Sequence, residues 1–488
     1  MHLTKSSYIS GVHCHKRLWQ ETYAPERAAP MGVAQRRVVK QGTDLGVLAR
    51  QRHPGGLLIQ GHGAPAMHAT RDALADGAPI LFEAAFVHDD VLVRCDILTQ
   101  DVDGGWALIE VKGSTSVKPE HIQDLAIQFH VLAGAGLPVT STHLMHVNRS
   151  DCVFPELDNL FTTVDVTGQV LAAADDVPQR LLHLRAILAG AEPDFAVGAH
   201  CDTPYLCPFH GHCWRDVPAT SILFVPRLRD SVIQSLMQQN ILHVHQLPAG
   251  LSLTEQQRRY VHCVTEGEPF VDRPGIRQRM CALQFPLHFF DFETDAPAMP
   301  RFAGMRPYDK LPFQYSCHVL HEDGRLEHHD YIHTSPADPR PALVDALARD
   351  ILPTGSVVAY NAQFERSVLQ DLAQALPAAA PMLRGIVERL WDQLDIFRHH
   401  YTMAEFRGSN SIKHVLPALI PELTYQDLAI QKGDDAQAIW AEMVQCTDEE
   451  RRAQLVADLR AYCQRDTLAM VALHHHLARL CLEPGEPD

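Results

Sequence analysis

Residues 285–294 read Phe-Pro-Leu-His-Phe-Phe-Asp-Phe-Glu-Thr, and this run sets the fold class of the C-terminal half. A short segment with apolar residues on both faces predicts a buried strand. The strand period of two places Asp291 and Glu293 on one face. Two like charges in a core strand are costly unless a cation neutralises them. Downstream come a strand at 314–320 (QYSCHVL), a helix near 339–351, a strand at 356–361 (SVVAYN) and helices to about 480. That order predicts a mixed α/β sheet covered by helices.

Upstream, residues 79–98 and 106–112 are short, apolar and β-branched, punctuated by Asp89-Asp90 and Asp103-Gly104-Gly105. They predict antiparallel strands. Residues 120–134 and 176–190 carry helical periodicity. Between Trp214 and the Phe285 strand, Leu236, Ile241, Leu247 and Leu251 suggest a small helical module. The expected domains are therefore 1–217, a helical linker at 218–284, 285–482, and a frayed tail at 483–488; the linker also resembles a helix-hairpin-helix module, with Gln239-Asn240-Ile241 in place of the usual glycine-containing hairpin.

The bulk properties fit several globular domains. The chain has 488 residues, 46% hydrophobic and 21% charged, which excludes collagenous, coiled-coil and wholly disordered classes. No apolar run approaches the ~18–20 residues that span a bilayer, and MHLTKSSYISGVHC has no apolar signal core. The expected location is the cytoplasm, with no membrane partner, and its reducing conditions make the 12 Cys thiols or metal ligands. The net charge of −17 argues against an overall basic coat, yet residues 1–56 hold nine Lys/Arg against three acids. Such asymmetry allows a basic track on an acidic body.

A first constellation lies on the predicted hairpin. Glu110 and Lys112 share a strand face, and Asp96 lies close to both if the hairpin pairs in register. Two carboxylates can hold a divalent metal while the ammonium orients or deprotonates a water. The triplet also fits a salt-bridged polar face on a half-exposed sheet. With the helix Gln123-Asp124-Leu125-Ala126-Ile127-Gln128 behind it, the segment resembles the core of the PD-(D/E)xK nucleases, especially the RecB-like branch. The resemblance implies a restriction-endonuclease-like fold, Asp96 and Glu110 as Mg²⁺ or Mn²⁺ ligands, Lys112 as the catalytic lysine and Gln128 as the supporting helical residue. Where that branch often carries G-x-x-x-H, this chain has Gly42-Thr43-Asp44-Leu45-Gly46.

A second constellation is Cys201-x5-Cys207-x5-Cys213, with Cys14 far upstream. The C-x2–4-C pairs of a zinc knuckle are missing, although three thiols with a nearby His could still bind Zn²⁺. Cys14-His15-Lys16-Arg17-Leu18-Trp19 and the three later cysteines resemble iron–sulfur nucleases such as AddB and the CRISPR-adaptation nuclease. That resemblance implies a [4Fe–4S] cluster on Cys14, Cys201, Cys207 and Cys213, with Zn²⁺ as the rival.

The third constellation is Asp291-Phe292-Glu293, then Asn361-x-x-x-Glu365 after a strand, then Tyr462-x-x-x-Asp466 on one helical face. In this order it resembles the DEDDy branch of the DnaQ-like 3′–5′ exonucleases, of RNase H-like fold. The resemblance implies that Asp291, Glu293, Glu365 and Asp466 hold two Mg²⁺ or Mn²⁺ ions and that Tyr462 orients the attacking water. The branch normally has Asp where Glu365 stands. Asp392, Ser411 and Lys413 lie between the last two motifs and are read as structural.

The whole chain resembles a bacterial fusion of a RecB-like iron–sulfur nuclease with a DnaQ-like exonuclease. The expectation is a two-headed, metal-dependent enzyme degrading DNA single strands or ends in repair, recombination or anti-phage defence. RNA 3′-end trimming, and a nucleic-acid-binding scaffold with partly degenerate sites, are the competing expectations. No G-x-x-x-x-G-K-[ST] occurs, so unwinding would come from a helicase or defence-system partner.

Overall fold

The structure is a computed structural model that describes residues 3–481, so the expected tail at 483–488 lies outside the described residues. It is a mixed α/β, multidomain architecture of two compact units. One takes the chain up to Arg215 together with Pro297–Asp309; the other takes Asp216–Ala296 and the chain from Lys310 onward. The stretch 218–284 thus falls within the second unit. No helix among the described residues is long and apolar enough to cross a membrane.

The first unit is a seven-stranded sheet: β1 (Leu3–Thr4), β2 (Leu57–Leu58), β3 (Ile80–His88), β4 (Val91–Gln100), β5 (Trp106–Lys112), β6 (Val139–Val147) and β7 (Phe161–Asp165). The order is β2-β3-β4-β5-β6-β7, with β1 parallel to the start of β4. Four helices matter below: α1 (Lys5–His13), α2 (His15–Tyr23), α3 (Val33–Arg50) and α4 (Pro119–Gly134). The β3–β4 turn is Asp89-Asp90, both in the left-handed region (φ 48° and 52°), the conformation that two-residue hairpins need. Helix α4 lays Leu125, Ala126, Val131 and Leu132 on one face of the sheet, against Val93, Cys95, Leu98 and Leu108. Ala49 of α3 packs on the other face with Phe82, Ile97, Ile109 and Met145.

The pairing of β3 with β4 is irregular at one place. Phe82 pairs with Ile97 and Ala84 with Cys95, and between them Glu83 sits at φ 58° opposite Asp96. Val93 and Cys95 face the α4 side whereas Ile97 faces the other, so the alternation slips at Asp96. A non-glycine residue held there costs of order 1–3 kcal/mol, and such slips re-aim side chains beside functional sites.

Segment Pro297–Asp309 also belongs to this unit. Ala298 joins the core of Leu45, Val147 and Leu160, Phe154 N donates to Met305 O at 2.9 Å, and the Tyr308 hydroxyl donates to the carbonyl of Gly113, next to Lys112.

The second unit holds β8 (Leu287–Asp295), β9 (Leu311–Leu320), β10 (Leu326–Ile332), β11 (Val357–Ala359) and β12 (Leu390–Asp392) in the order β10-β9-β8-β11-β12. β8, β9 and β10 are antiparallel, and β11 and β12 run parallel to β8. Helices α5 (Gln363–Ala375), α6 (Ile412–Leu419), α7 (Gly433–Gln445) and α8 (Glu449–Cys481) surround the sheet. Phe290 and Phe292 point into one core, with Leu343, Leu347, Val368 and Leu383. Leu287 and Phe289 point to the opposite face, against Met470 and Val471 of α8. By alternation, Asp291 and Glu293 also face α8. Within 218–284, Val225, Val244 and Tyr260 form a small core. There Asn240 adopts φ 59°, the left-handed conformation that a hairpin glycine would otherwise supply.

Candidate functional site

In the first unit the register that pairs Ile97 with Ile109 places Asp96 opposite Glu110. Strand pairing ends there, and Asp96 Oδ2 instead accepts from Val111 N at 2.7 Å. Asp96, Glu110 and Lys112 line a cleft of ≈ 540 Å³ whose other walls include Gly42, Gly46, Arg50, Glu83 and Arg94. Gly42 and Gly46 leave a bare helix face there, with nothing within 4 Å of where a Cβ would stand at either position. Glu110 is 2% exposed. Its Oε1 accepts from Lys112 Nζ at 2.7 Å and Lys5 Nζ at 2.9 Å, and its Oε2 accepts from Gln128 Nε2 at 2.8 Å. Lys112 also donates to Asp124 Oδ2. Asp96, Glu110, Lys112 and Gln128 therefore converge. Lys5 and Asp124, which the motif did not single out, join them.

Burial pushes the Asp96 carboxyl up to about 7, helped by the Glu110 charge. Burial acts on Glu110 in the same direction, but Lys112 and Lys5 outweigh it and hold that carboxyl below the usual carboxylate range. Burial would lower the Lys112 ammonium, yet Glu110 and Asp124 raise it, so at neutral pH Lys112 is charged and donates. Arg94 is fully engaged: it pairs with Glu83 Oε2 at 3.0 Å and donates to the carbonyls of Ile59 and Gly61.

The four cysteines Cys14, Cys201, Cys207 and Cys213 line one small pocket with His13, His200 and Phe209. Cys14 caps α2, its Sγ accepting from Arg17 N at 3.4 Å. Burial pushes the Cys207 and Cys213 thiols up, and each also feels Cys14 and Cys201.

In the second unit Asp291 and Glu293 of β8 meet Tyr462 and Asp466 of α8 in a cleft of ≈ 280 Å³, together with Tyr360, Phe364 and Lys413. Asp291, Glu293 and Cys463 each bring a ligand atom within 4.8 Å of the others. Burial, then the charge of Asp466, raises both strand carboxyls well above their usual range. Burial likewise raises Asp466, opposed by a hydrogen bond from Tyr425 Oη at 2.6 Å and by Lys413. Lys413 Nζ donates to Tyr462 Oη at 3.2 Å and to Gln431 O at 2.7 Å, and lies 5.5 and 5.3 Å from the ring centres of Tyr425 and Tyr462. Read as structural in the sequence, Lys413 thus faces the cleft. Asp392 instead braces the backbone, accepting from Asn361 N at 2.9 Å and Leu394 N at 3.0 Å.

Glu365 stands apart from this set. It lies in the first turn of α5, is 2% exposed, and its Oε2 has no hydrogen-bond partner among the described residues. The cleft is lined by its neighbour Phe364, while Asp291 and Glu293 still feel its charge. Burial, then Asp392, pushes its carboxyl up to about 8.

The family described as a domain of unknown function, DUF2779, matches residues 288–411. That span includes Asp291, Glu293 and Glu365 but neither Tyr462 nor Asp466. The chain is 31% identical over 207 residues to the uncharacterized protein MG366 homolog of Mycoplasma pneumoniae, a stretch covering 38% of this chain and 31% of that one. It is 26% identical over 209 residues to uncharacterized protein MG366 of Mycoplasma genitalium, with the same shares covered. Uncharacterized protein UU173 of Ureaplasma parvum serovar 3 is 26% identical over 219 residues, covering 39% of this chain and 31% of the relative. The chain thus spans about a third of the length of the curated relatives it matches. Among solved structures it is similar to the crystal structure of SSO0001, at 14% identity and a TM-score of 0.22, covering 44% of this chain and 87% of that one.

Proposed function

We propose that this chain is a two-headed, metal-dependent nuclease acting on DNA single strands or ends. The second unit is read as a DnaQ-like, DEDDy 3′–5′ exonuclease of RNase H-like fold, the first as a RecB-like PD-(D/E)xK nuclease. The observation that carries the reading is the meeting of Asp291, Glu293 and Asp466, all held with raised carboxyls beside one lysine. Like charges gathered this way are an expense that a bound cation repays. The donor set is all carboxylate oxygen with one thiol nearby, which suits Mg²⁺ or Mn²⁺. Such ions, when bound, stabilise the attacking and leaving oxygens of a phosphodiester displacement.

The chain's own residues supply the rest. Tyr462 Oη, oriented by Lys413, points a donor and acceptor into the cleft where a water would be aligned. Tyr425 keeps Asp466 turned towards β8. In the first unit Asp96 and Glu110 would hold the ion, and Lys112, charged and anchored on Glu110, would bind the developing negative charge at phosphorus. Gln128 fixes the other oxygen of Glu110.

The test uses 5′- and 3′-labelled single- and double-stranded DNA and RNA, with Mn²⁺ or Mg²⁺. The expected result is metal-dependent shortening of DNA, abolished by chelator, with separable products from the two sites. Degradation confined to RNA would replace the substrate assignment by the ribonuclease reading. Nucleic-acid binding with no metal-dependent turnover would leave the scaffold reading in its place.

The cysteine pocket is read as the seat of a [4Fe–4S] cluster, with Zn²⁺ as the rival: Cys14, Cys201, Cys207 and Cys213 all line it, and four thiolates suit a cubane. Anaerobically purified protein should be brown and carry about four irons per chain, and Cys207→Ala should bleach it and destabilise the first unit more than the second. Stoichiometric zinc without iron under those conditions would sink the cluster assignment.

A further inference from the structure

The basic excess of residues 1–56 has a definite place in the first unit. Four of its nine Lys/Arg are engaged by carboxylates: Lys5 by Glu110, Arg17 by Glu21, Lys16 and Arg27 by Glu192. The other five, Arg36, Arg37, Lys40, Arg50 and Arg52, lie on α3 or just beyond it. Asp44 is the sole acid between 33 and 52. Arg36, Lys40, Thr43 and Arg50 are spaced i, i+4, i+7 and i+14, which draws them into one stripe along the helix. At 1.5 Å per residue the stripe is about 21 Å long. Its far end, Thr43 and Arg50, lines the cleft of Asp96, Glu110 and Lys112. The protein itself holds the stripe weakly. Lys40 makes an exposed pair with Asp44 at 2.9 Å, Arg36 donates to Met31 O, and Arg50 lies 3.7 Å from Glu83 Oε1. Exposed pairs of this kind contribute little.

The same helix is uncovered. From Val33 to Asp44 it buries no side chain, and Val38 and Val39 are 61% and 59% exposed. Gly42 and Gly46 lie beside the stripe on the side that lines the cleft. A helix of this length with two glycines gains little from propensity, and its first half gains nothing from a core. Its exposed face is therefore open to a partner, and charge fixes that partner's chemistry. A row of cations on a chain of net charge −17 suits a polyanion that carries its negative groups in one row. A duplex offers two such rows, and a single stripe meets only one. The glycines fix the path, because they let a backbone come close to the helix where it meets the cleft. α3 carries no aromatic residue, so bases are not stacked on it and sequence is not read. Resting on the nuclease reading of the first unit, we propose that α3 is an entry track. It binds the phosphate backbone of single-stranded nucleic acid and leads the strand into the cleft at Glu110 and Lys112.

The test uses the full chain in chelator, so that no strand is cut. The probes are short oligothymidylate and oligouridylate strands, each carrying a 4-thio base. The yield of photo-cross-link to peptides of the first unit, titrated against protein, gives the affinity there. The parent should cross-link through α3 to both strands alike, because the backbone is what it holds. Arg36→Ala with Lys40→Ala should weaken that affinity about tenfold at about 0.1 M salt. Two lost phosphate contacts should also make the slope of log affinity against log salt shallower by about 1.4. Arg71→Ala with Arg185→Ala, on other helices of the same unit, should change neither quantity. Gly42→Leu separates a binding role from a structural one. Its Cβ meets no neighbour and Leu is the better helix former, so the melting temperature should rise while affinity falls severalfold. Unchanged affinity in the Arg36 and Lys40 double variant would overturn the proposal, as would an equal loss in the Arg71 and Arg185 control. Cross-links confined to other parts of the chain, or equal affinity of α3 for a duplex, would also overturn it. Binding that depends on α3 in a chain that cuts no strand when Mg²⁺ or Mn²⁺ is supplied would uphold the track and defeat the nuclease reading.

Discussion

If the proposed exonuclease assignment holds, Asp291→Ala should abolish the shortening ladder of a 5′-labelled single strand in Mn²⁺, measured in a Lys112→Met background chosen to silence the proposed first site. Asp291 is the inner carboxylate of β8, felt by Asp466, Glu293 and Glu365 together, so its removal opens the ligand set at its centre. Metal stabilisation of two oxygens is worth several kcal/mol, so the loss should be about 10³-fold or more. Tyr462→Phe removes one hydroxyl that Lys413 orients and leaves every carboxylate in place. Its cost should stay below roughly 10²-fold, under the range of a general base. The two variants therefore rank the roles. A ladder that survives Asp291→Ala unchanged defeats the exonuclease assignment.

A pH dependence follows at the same site. Glu365 has its carboxyl raised to about 8, so below that pH it carries a proton that an arriving cation must displace. The Mn²⁺ concentration for half-maximal trimming should therefore fall as pH rises from 7 towards 9, and Glu365→Gln should make that slope shallower without removing it, because Asp291, Glu293 and Asp466 are raised as well. An equal slope in both proteins would remove Glu365 from the metal set.

Strand periodicity carried much of this arrangement. It put Asp291 with Glu293 on the α8 face and Glu110 beside Lys112 because alternation is a local property of the backbone. Tyr462 and Asp466 share a helical face for the same reason, at their own period. What stayed hidden depends on contacts between distant parts of the chain. Lys5 reaches Glu110 across 105 residues, and Tyr425 reaches Asp466 across 41; neither spacing has a local signature. Glu83 is a second kind of case. Its φ of 58° in mid-strand is imposed by the slip opposite Asp96, and nothing about a glutamate among apolar residues announces it. The excursion of 297–309 into the first unit is a third: that stretch reads as an ordinary loop between two strands until its packing partners are known.

Lys112→Met, placed in an Asp291→Ala background, should remove the remaining cleavage and also soften the first unit. An unanchored lysine on an exposed face would cost little on removal. Lys112 is only 27% exposed and bridges two carboxylates that are themselves 2% and 11% exposed. Breaking a fully buried pair costs about 3–5 kcal/mol. Here Lys5 remains on the same two acids, so the expected loss is smaller, about 1–3 kcal/mol, and the chain stays folded. The rate effect should be far larger than the stability effect. Lys112 is among the residues that line the cleft, so in the proposed nuclease site the retained Lys5 would hold the fold without replacing the Lys112 ammonium. Circular dichroism melting and cleavage of end-labelled DNA, run on the same preparation, separate the two quantities. Products that persist unchanged in Lys112→Met would show that the first unit is not the nuclease. A first unit that melts as stably as the parent would show that Lys5 alone carries the carboxylate pair.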